Sequence, residues 1–239
     1  MIFQQLHDHE TSTYTYLVAD SKTHEGVIID PVDENFDRDL ELIKKHEIRL
    51  SWILETHIHA DHVTSAYRLR EATAAKIGLG QNTKLACADR LFADGETFKT
   101  GSIEWKVIFT PGHTNGCTSY YIADEIVFTG DALLINGCGR TDFQEGSSEQ
   151  LFQSVHEKLF ALPESIKVYP AHDYQGRMNS TIGDEKKNNP RLKLSNSMQD
   201  FVKIMSDLKL DPPKHIHRAV PANMNCGKTS FQEVIRDQK

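Results

Sequence analysis

The chain has 239 residues, of which 38% are hydrophobic, and a formal net charge of -7. That length can bury a sizeable core, as one large domain or two small ones. The acidic balance, with no basic run longer than the pair Lys186-Lys187, excludes nucleic acid as an expected partner, because phosphates are gripped by clustered Lys and Arg.

No apolar run approaches the length of a membrane span. The N-terminal Met1-Ile2-Phe3-Gln4-Gln5-Leu6-His7-Asp8 has neither the basic-then-apolar order of a secretory signal nor the Arg and Ser content of a transit peptide. A cytoplasmic location is expected, or the mitochondrial matrix for a processed eukaryotic form. Four cysteines, Cys87, Cys117, Cys138 and Cys226, include no C-x-x-C pair. Reduced and mostly buried thiols are expected in a chain of this size without a secretion signal.

In chain order, Tyr14-Val18 and Gly26-Asp30 read as strands from their β-branched and aromatic content. Asp30-Pro31 stops the second. Asn35 to Lys45 places Phe36, Leu40 and Ile43 near helical spacing. Trp52-Ile53-Leu54 reads as a buried strand that delivers the chain to His57, and Val63 to Glu71 as a helix, so the histidine-rich segment lies on a strand-to-helix turn. Further strands are expected at Trp105-Phe109, Ser119-Ile122, Glu125-Phe128 and Val168-Tyr169. A helix is expected from Ser148 to Leu162 behind a capping box at Ser147/Gln150. From about residue 190, prolines punctuate a C-terminal extension with a helical pattern over Leu194 to Leu208. The whole chain, 1–239, is read as a single domain.

Four of the predicted strands end in potential metal ligands: His57, His113, Asp131 and His172. Imidazole and carboxylate suit zinc and iron. Glycines precede two of them, in Thr110-Pro111-Gly112 and Thr129-Gly130, where the backbone must bend sharply. Within His57-Ile58-His59-Ala60-Asp61-His62, His57 and His59 point the same way on an extended segment. Asp61 alone reads equally well as a helix N-cap, but within H-x-H-x-D-H the ligand reading prevails.

The segment Glu55 to His62 resembles the defining motif of the metallo-β-lactamase superfamily. Thr110-Pro111-Gly112-His113-Thr114, Phe128-Thr129-Gly130-Asp131 and Tyr169-Pro170-Ala171-His172-Asp173-Tyr174 resemble the motifs that follow it. The resemblance implies an α/β (α+β) fold, an αββα sandwich of two mixed sheets flanked by helices. Finer strings are similar to the glutathione persulfide dioxygenases, the ethylmalonic-encephalopathy protein family: Gly130-Asp131-Ala132-Leu133-Leu134-Ile135, Gly137-Cys138-Gly139-Arg140-Thr141-Asp142-Phe143, Asn189-Pro190-Arg191-Leu192 and Ala219-Val220-Pro221-Ala222-Asn223-Met224.

That resemblance implies one Fe(II) per chain on His57, His113 and Asp131, with zinc as the alternative metal. It implies oxidation of glutathione persulfide by O2 and water to glutathione and sulfite, and a homodimer. His59, Asp61, His62 and His172 then either support the first ligands or bind a second metal. Arg140, Arg191 and Tyr174 are the expected contacts to glutathione, although Arg140 reads equally well as a structural arginine on loop carbonyls. Cys138 reads as a buried thiol or as a redox group near the site. The rival activity is a glyoxalase II type thioester hydrolase, in which two metals activate a bridging water.

Overall fold

The computed structural model describes residues 1–213 and 215–228. Short runs rich in Val, Ile, Tyr and Phe form twelve strands among these residues, in two sheets. The first sheet follows chain order: β1 (Ile2–His7), β2 (Tyr14–Ala19), β3 (Glu25–Ile29), β4 (Arg49–Leu54), β5 (Lys76–Gly80) and β6 (Arg90–Phe92). Its first two pairings are antiparallel and the other three parallel. The second comprises β7 (Thr97–Thr100), β8 (Ile103–Phe109), β9 (Thr118–Ile122), β10 (Ile126–Gly130), β11 (Lys167–Pro170) and β12 (Ser180–Thr181), again in chain order. Only β10 and β11 pair in parallel there.

Three apolar layers result. Tyr14, Tyr16, Val18, Trp105, Tyr120 and Phe128 pack between the sheets. The outer face of the first sheet, through Leu17, Ile28, Ile53 and Ile77, is covered by α1 (Phe36–Lys45) and α2 (Ala66–Thr73). The outer face of the second, through Val127 and Val168, is covered by α3 (Ser148–Gln153), α4 (Ile182–Asn188) and α5 (Met198–Ser206). β2 is buried along its whole length, as expected of a strand covered on both faces. The helix–sheet–sheet–helix order is the predicted αββα sandwich. No described helix is long and apolar enough to cross a membrane.

Several boundaries differ from the sequence expectation. The second helix starts at Ala66 and not at Val63, and its N-cap position is Ser65, so Asp61 is not a cap. Ser147 does accept a hydrogen bond from Gln150 N at 3.2 Å, but its own N–H donates to Gly112 O at 2.8 Å, so the box is not reciprocal. α3 then passes into a π-helical stretch, Ser154–Leu159, and ends before Leu162. In the C-terminal extension α5 lies within the predicted 194–208, while α6 (Ile216–Asn223) contains Pro221, the residue type that reads as punctuation. The final segment 229–239 of the expected domain lies outside the described residues. The expectation of four reduced thiols is corrected: Cys87 and Cys226 form a disulfide across a sequence separation of 139, a proximity created by the fold and invisible in local spacing. Cys117 and Cys138 are free and buried.

One buried charge in this frame has a measurable consequence. Asp39, in the first turn of α1, is 0% exposed, and its Oδ2 has no hydrogen-bond partner. Burial pushes its carboxyl up to about 6, against the pull of neighbouring Arg38. A raised carboxyl favours the protonated folded state, so the contribution is complete below about pH 4 and is lost as pH rises to about 6. Urea unfolding between pH 4 and 8 should therefore show wild-type stability falling relative to Asp39→Asn by up to about 3 kcal/mol, with the difference level above about pH 6.

Candidate metal centre

The strand ends converge at one edge of the sandwich. β4 ends at Leu54, and Glu55 and Thr56 lead from it to His57. His113 lies in the loop between β8 and β9, Asp131 directly follows β10, and His172 follows β11 by two residues. His57, His59, His62, Asp131 and His172 are all buried. The potential ligand atoms fall into groups, each with its members within 4.8 Å of one another: His57, His113 and Asp131 form one, and His59, Asp61, His62 and His172 another.

In the first group hydrogen bonds assign the tautomers. Thr56 Oγ1 donates to Asp30 Oδ2 at 2.8 Å, so it accepts from His57 Nδ1–H at 2.9 Å. His113 Nδ1–H donates to Arg140 O at 2.6 Å. With Nδ1 occupied in this way, Nε2 is the ring nitrogen each histidine has left to offer a cation, and His113 Nε2 lies 3.5 Å from Asp131 Oδ2. Burial holds His57 well below the usual imidazole range, keeping it neutral. Burial opposes ionisation of Asp131, but the adjoining His172, His113 and His57 outweigh it and hold the carboxyl well below its ordinary value. Two imidazoles and one carboxylate are a donor set that fits a divalent cation: ligands at ~2.1 Å from an ion sit roughly 3–4 Å apart.

The second group is tied up differently. His172 Nδ1 bonds Asp131 Oδ1 at 2.7 Å, and His172 Nε2 bonds Asp61 Oδ2 at 3.0 Å and Thr13 Oγ1 at 3.1 Å. Burial disfavours a charge on His172, yet Asp131 and Asp61 outweigh it and raise the ring well above its normal range. Asp61 Oδ2 also accepts from His62 Nδ1 at 2.9 Å. His59 Nε2 lies 3.1 Å from Asp30 Oδ1, and His59 Nδ1 lies 3.8 Å from Asp61 Oδ1. Burial again works against the charge, but the two aspartates hold His59 up to about 10. His62 Nε2 is the buried nitrogen of this group with neither a hydrogen bond nor a carboxylate partner.

The loops that aim these groups have little freedom. Gly112 has φ +137°, and a Cβ there would lie 2.3 Å from the Leu151 backbone. A Cβ on Gly139 would lie 2.7 Å from His113 Nδ1. Thr129 Oγ1 donates to Leu133 O at 2.6 Å, closing the turn that carries Asp131. The sheets are also joined to each other beside the ligands: Tyr120 Oη donates to Glu55 O at 2.8 Å, Thr118 N to Thr56 O at 2.8 Å, and Tyr16 Oη to Pro170 O at 2.6 Å.

The residues expected to meet glutathione are placed less uniformly. Tyr174 is 74% exposed, and its ring stacks parallel to His172 at 6.1 Å. Arg191 uses Nη1 on Cys138 O at 2.9 Å. Arg140 is committed to Asp142 at 2.7 and 2.8 Å and to the carbonyls of Asp211 and Leu210, and its own carbonyl orients His113. Burial pushes the Cys138 thiol up to about 11, which leaves it a thiol and not a thiolate. Sequence reasoning missed Thr13, Asp30 and Asn223. Asp30 had a local signal, a carboxylate at a strand end before proline. Asn223 reaches the metal loop from more than 160 residues away.

The metallo-beta-lactamase superfamily model matches residues 10–172. A protein of Bos taurus named persulfide dioxygenase ETHE1, mitochondrial, is 44% identical over 95% of this chain and 89% of its own length. Glyoxylase B2 of Dictyostelium discoideum is 32% identical over 94% of this chain and 90% of its own. The crystal structure of ETHE1 from Myxococcus xanthus superimposes with a TM-score of 0.92 at 46% identity, covering 95% of this chain and 100% of that one. With its ligand loops, its two mixed sheets and this similarity over nearly its full length, the chain belongs to the metallo-beta-lactamase superfamily and, within it, to the persulfide dioxygenase family.

Proposed function

We propose that the chain is a persulfide dioxygenase that converts glutathione persulfide, O2 and water to glutathione and sulfite, with one ferrous ion held by His57, His113 and Asp131. The observation that carries this reading is the division of the seven candidate ligands. Three bring candidate donor atoms within 4.8 Å of one another, whereas His172 spends both ring nitrogens on carboxylates and Asp61 Oδ2 accepts from three neighbours. Two histidines and one carboxylate on one face suit iron and leave positions for two further reactants. When bound, iron supplies the affinity for O2 and for the terminal persulfide sulfur that side chains lack.

The chain's own groups have separate tasks in this reading. His172 holds Asp131 Oδ1, so that Oδ2, which faces His113, is the oxygen that would be offered to the cation. The Arg140 carbonyl and Thr56 hydroxyl fix the ring planes of His113 and His57, the orienting role that such partners play at metal sites. Tyr174 offers an exposed aromatic face at the edge of the site. Arg191, partly exposed and with one guanidinium nitrogen on Cys138 O, can present another edge of its fork to a glutathione carboxylate. Arg140 would act chiefly by holding loops, its side chain having the larger set of protein partners.

Protein expressed with iron should contain about one iron per chain and consume O2 on addition of glutathione persulfide. Two metals per chain with lactoylglutathione hydrolysis and no O2 uptake would overturn the assignment in favour of a thioester hydrolase. Asp131→Ala should lose both iron and activity. His172→Ala should retain a single iron site with affinity reduced by roughly 10- to 100-fold, whereas a change from two metals to one in that variant would place His172 among the ligands.

A further inference from the structure

The segment from His57 to Ser65, which carries the H-x-H-x-D-H motif, forms no helix or strand, so its buried backbone groups need partners from elsewhere. One side chain supplies three of them. Asn223, 5% exposed at the end of α6, donates from Nδ2 to His59 O at 2.9 Å and to His62 O at 2.8 Å. Its Oδ1 accepts from Thr64 N at 2.9 Å. Both amide hydrogens and an acceptor lone pair are thereby spent on the loop that carries His57.

The chain after Asn223 lies flush against the same loop. Cys226 O accepts at 3.0 Å from Tyr67 N, in the first turn of α2 just past the loop, and a Cβ on Gly227 would lie 2.1 Å from Thr64 O within it. Cys226 is 2% exposed and is joined to Cys87, in the loop between β5 and β6. Cys87 is partly exposed. The arm is thus held on the loop by hydrogen bonds on one side and by a covalent bond on the other.

We propose that Asn223 is a positioning residue for the metal loop and that the Cys87–Cys226 disulfide latches it in place, so that retention of the metal depends on the redox state of this pair. The inference rests on a cation being held at His57, His113 and Asp131. A low-molecular-weight thiol would open the latch. Its thiolate attacks the more accessible Cys87 sulfur, the S–S bond breaks, and Cys226 leaves as a thiolate that takes up a proton. A second thiolate then attacks the mixed disulfide and frees the Cys87 thiol. The pair gains two electrons and two protons, and two thiol molecules are oxidised to one disulfide. The helix is then free to withdraw Asn223, leaving two carbonyls and an N–H beneath the ligands without partners.

Cobalt(II)-loaded protein separates this inference from the reaction assigned above, because it requires neither iron nor turnover. Release of cobalt to a chelator is followed in oxidised protein and after treatment with a phosphine, which reduces the disulfide and is itself oxidised with oxygen from water. Reduced wild type should release cobalt faster than oxidised wild type, and Cys87→Ser should match the reduced rate with or without phosphine. Asn223→Ala should release it roughly 10- to 100-fold faster and shift the visible cobalt spectrum, a change that lowered stability alone does not produce. A Cys87→Ser rate equal to that of oxidised wild type overturns the latch. An unchanged rate and spectrum in Asn223→Ala overturns the positioning role. Cobalt that never binds wild type overturns the inference and the metal site together, whereas cobalt bound and latched in a protein without O2 uptake overturns only the dioxygenase reading.

Discussion

One carboxylate organises this end of the molecule. Asp131 faces His113 through Oδ2 and bonds His172 through Oδ1. A buried charge of this kind is costly unless its neighbours compensate it. The compensation comes from loops that leave different strands, so β4, β8, β10 and β11 must all end in register before the carboxylate can be ionised where it stands. The network then extends outward from it: His172 to Asp61, Asp61 to His62, and His59 to Asp30, which holds Thr56 and through it His57.

The most recognisable residues and those whose donor atoms converge with His113 and Asp131 are largely different sets. H-x-H-x-D-H is conspicuous because it concentrates ligand types in six positions, yet in this fold only its first histidine shares a group with His113 and Asp131. The remainder forms alternating imidazoles and carboxylates whose positive and negative partners are matched. Such alternation allows several ionisable groups to be buried together: the His59 nitrogens lie beside Asp30 and Asp61 without forming a hydrogen bond, and His62 Nε2 has neither a hydrogen bond nor a carboxylate beside it.

The site was legible in the sequence where chemistry is local, in strands that end in ligands after Gly- and Thr-containing turns. The layer order followed from the resemblance those ligands carry. Features created by distant contacts were not legible. Gly78 weakens the strand signal of β5, but the glycine is required because a Cβ there would lie 2.6 Å from Phe92 and 3.0 Å from Leu54. The start of α2 slipped by three residues because Val63 and Thr64 read as helix, whereas Thr64 pairs with Val32 in an isolated bridge and with Asn223. The pairing of Cys87 with Cys226 likewise depends on the path of the C-terminal arm, which local spacing does not encode.

The bonds that join the two sheets beside the ligands have a wider consequence. His57 follows a strand of one sheet, and His113, Asp131 and His172 follow strands of the other, so the spacing of these side chains is set by the separation of the sheets at that edge. Tyr120 to Glu55 and Tyr16 to Pro170 hold this separation directly, and the rings of Phe3, Tyr16, Phe128 and Tyr169 fill the gap behind them. The aromatic seam is therefore a calliper as well as a core. Trimming a ring within it would alter the spacing of His57 from His113 and Asp131, so that the metal preference of such a site would be open to tuning from side chains that do not touch these residues.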